Sequence, residues 1–106
     1  MTEVSTPIRM RLCMEDILRK RVPLFDGVQT LLGLAEQVPQ LATDRDVRKL
    51  TELLSLVDHL AIGASRERWA RDALHRQDRE LLELERQHAD SVFYACRRLT
   101  QTLERR

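Results

Sequence analysis

Apolar residues recur along this chain at the three- and four-residue spacing of amphipathic helices. Proline, glycine and short polar stretches separate the runs. Residues 1–7 are mostly polar, end at Pro7, and read as a frayed lead-in. Met10, Cys13, Met14, Ile17 and Leu18 then predict a first helix over 8–22. Arg19, Lys20 and Arg21 fall in its last turn, where cations suit the negative end of the helix dipole. Pro23 is tolerated at a first helical position and opens a second helix over 23–38. Leu24, Phe25, Val28, Leu31, Leu32, Ala35 and Val38 form its stripe. Gly27 and Gly33 interrupt that stripe, each at a cost of about 1 kcal/mol against Ala. Both would let a neighbouring helix approach closely. Pro39 ends the element.

The third predicted helix spans 44–62, with Thr43 as its N-cap and Asp44 and Asp46 in its first turn. Val47, Leu50, Leu54, Val57 and Ala61 lie along one line. Leu53, Leu56 and Leu60 widen it, as for a helix sandwiched between neighbours. Gly63, Ala64 and Ser65 then punctuate the chain, Gly past one helix end and Ser as the next N-cap. The line from Val47 to Ala61 extrapolates onto Arg68 and Arg71, not onto Trp69 and Ala73, which argues for a break there. No Gly or Pro follows, so the pattern predicts one helix over 66–104, about 60 Å long at 1.5 Å per residue. Trp69, Ala73 and Leu74 cluster near its start. Residues His75 to Glu80 are all polar. A longer stripe of Leu81, Leu82, Ala89, Val92, Phe93, Cys96, Leu99 and Leu103 follows.

These elements give an all-α fold, a helical bundle of three short helices and one long C-terminal helix forming a single domain over 8–106. Three helices of roughly 20 to 30 Å cannot cover one twice as long. Oligomerisation completes the bundle most simply, with two copies pairing their long helices antiparallel, in coiled-coil fashion, about a two-fold axis. The interface residues expected are Trp69, Leu81, Leu82, Ala89, Val92, Phe93, Cys96, Leu99 and Leu103. Trp69 is the expected anchor, because Trp is enriched at interface hot spots.

Composition narrows the classes. The chain has 106 residues, 42% hydrophobic and 33% charged, with a net charge of +1. It is too apolar and too balanced in sign for a disordered tail. No apolar run approaches the length of a membrane-spanning helix. Arginine far outnumbers lysine, which fits a GC-rich, bacterial source, and acids match it almost one for one. Cys13 and Cys96 lie 83 positions apart, with no metal spacing, and read as small buried hydrophobes of a reducing cytoplasm. A disulfide would require the first and last helices to meet.

Candidate chemistry is thin. Glu85 and His88 have the Glu-x-x-His spacing of carboxylate-bridged metal sites, but such sites need two of these pairs and further carboxylates. Asp72 and His75 share the spacing about 20 Å away, and His59 follows Asp58 on another element. No nucleophile elbow or phosphate-binding glycine loop is present, so no enzyme activity and no cofactor is expected. The basic clusters Arg9/Arg11, Arg19–Arg21, Arg66/Arg68/Arg71, Arg97/Arg98 and Arg105/Arg106 alternate with acids. The function expected is protein–protein interaction as a homo-oligomer, in the role of an adaptor, chaperone, immunity or regulatory protein with an unidentified protein partner. The second reading is a nucleic-acid-associated regulator, which requires the arginines to gather on one face.

Overall fold

The computed structural model describes residues 5–105. Among them there is no strand, and four helices carry the fold: α1 (Thr6–Leu18), α2 (Leu24–Ala35), α3 (Arg45–Ser55) and α4 (Arg71–Glu104). Residues 1–4 of the expected lead-in and Arg106 lie outside the described residues. Thr6 and Pro7 are not lead-in; they form the first turn of α1. Ser5 caps that turn, its hydroxyl accepting from the Ile8 amide at 3.4 Å. No helix among the described residues is long and apolar enough to cross a membrane.

Each helix is shorter than its hydrophobic pattern predicted, for local reasons. α1 stops at Leu18 rather than 22, because Lys20 adopts a left-handed conformation with φ 58°. The Arg21 amide then donates to Asp16 O at 2.9 Å and the Lys20 amide to Ile17 O at 3.1 Å. That pair of bonds closes a Schellman turn, with lysine where glycine is usual. Pro23 is the N-cap of α2, not its first residue, and α2 ends at Ala35. Pro39 opens a short 3₁₀ turn, Pro39–Leu41. Asp44, not Thr43, caps α3; its carboxylate accepts from the Asp46 and Val47 amides at 2.8 and 3.0 Å.

The largest departure concerns residues 56–70. The spacing there predicted helix on both sides of Gly63, yet α3 ends at Ser55 and α4 starts at Arg71. Leu56, Val57, Asp58 and Leu60 make bonds to carbonyls three residues back, which tighten and end α3. A second 3₁₀ segment, Gly63–Arg68, follows, with Gly63 at φ 56°. Ser65 sits inside this segment and does not cap α4; its hydroxyl exchanges hydrogen bonds with the Ile62 backbone. Residues 56–70 therefore form a strap laid across the other elements.

Two apolar clusters result. In the larger, Met10, Met14 and Ile17 of α1 meet Val28 and Leu31 of α2, Leu50 and Leu53 of α3, and Val92, Ala95, Cys96, Leu99 and Leu103 of α4. In the smaller, Phe25 packs with Val57, Leu60 and Ile62 of the strap, against Leu81 and Leu84 of α4. At about 51 Å, the 34 residues of α4 match the 47 Å long axis of the molecule. The strap answers the coverage problem within one chain: it lies on the N-terminal half of α4 while α1, α2 and α3 cover the C-terminal half.

Polar contacts fix the strap. The Ala61 amide donates to Gln77 Oε1 at 2.7 Å, and the Gly63 amide to Asp26 Oδ1 at 3.1 Å. Arg66 meets Asp78 with both terminal nitrogens. His59 Nε2 donates to Glu80 Oε1 at 2.6 Å. The first two bonds satisfy backbone amides that a continued helix would have satisfied, and the other two tie strap side chains to α4.

Candidate functional site

The predicted interface residues separate into four groups. Val92, Cys96, Leu99 and Leu103 are buried by α1, α2 and α3 of the same chain. Their burial requires no second copy, so they are core residues rather than an assembly face. Leu81 packs in the smaller cluster under the strap. Trp69 stands exposed at the end of the strap, away from the rest. Leu82, Ala89 and Phe93 line an open groove beside α4.

That groove has a volume of about 290 Å³. One wall is α4, with Leu82, Glu85, Arg86, Ala89 and Phe93 one, three and four residues apart on a single face. The other wall is the α1–α2 turn: Ile17, Lys20, Val22, Pro23 and Leu24. Sequence reasoning missed this second wall. The signal was there, since Val22, Pro23 and Leu24 form an apolar turn directly after a basic cluster. Leu82 remains 48% exposed, a large apolar side chain standing in water beside an apolar recess.

The rim carries both signs of charge. Among the described residues, Lys20, Glu85 and Arg86 have no ion-pair partner, whereas Arg19 and Arg21 are held by Glu15 and Asp16. Burial pushes the Glu85 carboxyl above the usual carboxylate range, with the Asp26 and Asp78 carboxylates adding to the effect. Lys20 holds its rim position in a conformation that costs a non-glycine residue about 1–2 kcal/mol.

The chemistry weighed in the sequence takes these positions. Among the described residues, no three His, Cys, Asp or Glu side chains gather at metal-holding distance. α1 and α4 do meet, yet both cysteines are free. Cys13 Sγ donates to Gly27 O at 3.5 Å, and burial, reinforced by Asp16, pushes its thiol up. Burial pushes the Cys96 thiol up to about 12. Both shifts oppose the thiolate that nucleophilic or metal chemistry uses.

A second groove lies on another side of α4, between it and α3. It is lined by Arg45, Arg48, Lys49, Tyr94 and Arg98, and continues toward Arg97 and Arg105. No protein-family model, curated protein or solved structure matches this chain.

Proposed function

We propose that this chain is a small protein-interaction module of a bacterial cytoplasm, and that it self-associates through the groove between α4 and the α1–α2 turn. The observation that carries the reading is self-complementarity. The patch contains an exposed Leu82, an apolar recess beside it, and charges of both signs that are unpaired among the described residues. A two-fold interface brings the same patch against itself, so each patch must supply both knob and hole, and both cation and anion. Here Leu82 of one copy enters the recess of the other, and Glu85 faces the partner's Lys20 and Arg86. Pairing with those cations stabilises the Glu85 carboxylate that burial in the free chain disfavours.

Sedimentation equilibrium at micromolar to 100 µM concentration tests this. A particle of twice the 12.4 kDa chain mass is expected. Leu82→Asp places an unpaired charge in the recess and gives the 12.4 kDa species with an unchanged helical circular dichroism spectrum. A wild-type chain that stays monomeric across that range overturns the proposal. So does a dimer that Leu82→Asp leaves intact.

A further inference from the structure

We propose that the basic groove between α3 and α4 binds single-stranded nucleic acid, with Tyr94 as a stacking platform. Its location makes it independent of the self-association groove. At about 100° per residue, Leu82, Ala89 and Phe93 lie on one face of α4, and Ser91, Tyr94 and Arg98 on the opposite face.

The charge is locally one-sided. Arg45, Arg48, Lys49, Arg97, Arg98 and Arg105 line the groove and its continuation, against two carboxylates, Asp46 and Glu52. That is an excess of four in a chain whose total is +1, so the remainder of the molecule is net negative. The arginines that alternate with acids along the sequence therefore gather in space. Only Arg98 of the six cations is ion-paired among the described residues, which leaves five available to phosphates. Such a stripe is the electrostatic footprint of a phosphate backbone.

Tyr94 selects the class of polyanion. It is 60% exposed, the most exposed large hydrophobic residue in the described chain. Its ring is held rather than loose. Arg98 Nη1 donates to Tyr94 Oη at 3.2 Å, and the guanidinium carbon sits 5.6 Å from the ring centroid. Arg98 is anchored in turn by Asp46, which is 8% exposed, at 3.3 Å. Docking of an acidic peptide needs the cations but does not require a ring held by a chain from a buried carboxylate through a guanidinium. Such a ring suits stacking of an unpaired base, which an aromatic ring and an adjacent guanidinium plane both accept. A duplex keeps its bases stacked and cannot use the ring in this way.

Fluorescence anisotropy with a labelled oligothymidylate of about 15 nucleotides tests the inference, with polyglutamate as the competing polyanion. Binding is expected at 50 mM salt. For four phosphate contacts it weakens about 50-fold by 200 mM. Tyr94→Ala loses about fivefold or more, Tyr94→Phe retains binding, and the exposed pair Arg48→Glu/Lys49→Glu abolishes it. Circular dichroism of each variant confirms the fold. No binding at 50 mM salt overturns the proposal, as does a Tyr94→Ala variant that binds unchanged. Polyglutamate binding as tight as the oligonucleotide also overturns it, and makes the groove an acidic-protein docking surface.

Discussion

Arg66 grips Asp78 with both terminal nitrogens, at 2.7 and 3.1 Å, and so ties the strap to the exposed first turns of α4. The hydrogen bond from Arg66 holds the Asp78 carboxyl below the usual carboxylate range. A carboxylate with a depressed folded-state pKa stabilises above its unfolded value, about 3.9, and loses that contribution as pH falls through the folded value. Strap attachment is therefore expected to hold at neutral pH and weaken below about pH 4. Trp69, the only tryptophan, lies at the end of the strap and reports on it. Its emission should shift on acidification in the wild type. In Asp78→Asn part of the shift is already present at neutral pH and the remaining response to acid is smaller.

Gly27 and Gly33 both lie in α2 but respond oppositely to alanine. A Cβ at Gly27 would stand 2.5 Å from Ile17 Cγ1 and 3.0 Å from Val22 Cγ2, so Gly27→Ala forces α1 away. A loss of about 1–3 kcal/mol is expected. A Cβ at Gly33 meets nothing within 4 Å, and Gly33→Ala should gain about 0.5–1 kcal/mol from helix propensity and unfolded-state entropy. Urea midpoints of the two variants moving in the same direction would contradict this.

Leu99 is fully buried among helices of its own chain. Leu99→Ala is expected to cost about 2–5 kcal/mol, lowering the melting temperature by roughly 10 °C or more. Association should be untouched in the protein that remains folded. Sedimentation showing dissociation without loss of stability would place Leu99 at an interface instead.

Lys20→Gly relieves the left-handed strain and should stabilise the monomer by about 1 kcal/mol. It also removes a rim cation, so self-association should weaken. A variant that melts higher yet sediments with more monomer carries both effects. One that melts lower shows that the lysine side chain contributes more to the fold than its backbone costs.

Thiol reactivity should be graded by burial. With Ellman's reagent at pH 8, half-buried Cys13 is expected to react slowly and Cys96 only after unfolding. Two rapid equivalents from the native protein would refute this packing.

The helices were legible because their stripes are long and their caps local. Met10, Met14 and Ile17, or Val92, Cys96 and Leu99, sit inward wherever a bundle forms around them. The strap was not legible. Val57, Leu60 and Ile62 have helical spacing, but their burial is decided by Phe25, Leu81 and Leu84, while Gln77 and Asp26 take the amides of Ala61 and Gly63. Those partners are distant in sequence, and tertiary contact overrode the local pattern. The same limit applies to the sites. Lys20 and Leu82 form one groove only because α1 and α4 pack side by side. Arg48 and Tyr94 share another only because α3 lies against α4. Without that packing, a balanced sequence charge concealed a one-sided basic face.

The two halves of α4 also find their partners over very different chain separations. Arg66 meets Asp78 only 12 positions away, whereas Thr100 meets Met14 across 86. The strap and the first turns of α4 can thus close early and locally, while the main core closes a loop almost as long as the chain. During synthesis, α1 to α3 can pack on one another, but the apolar surface they turn toward α4 stays bare until residues 92–103 join them. The interval in which that surface is open to a chaperone or to aggregation is set by how soon α4 follows the first three helices.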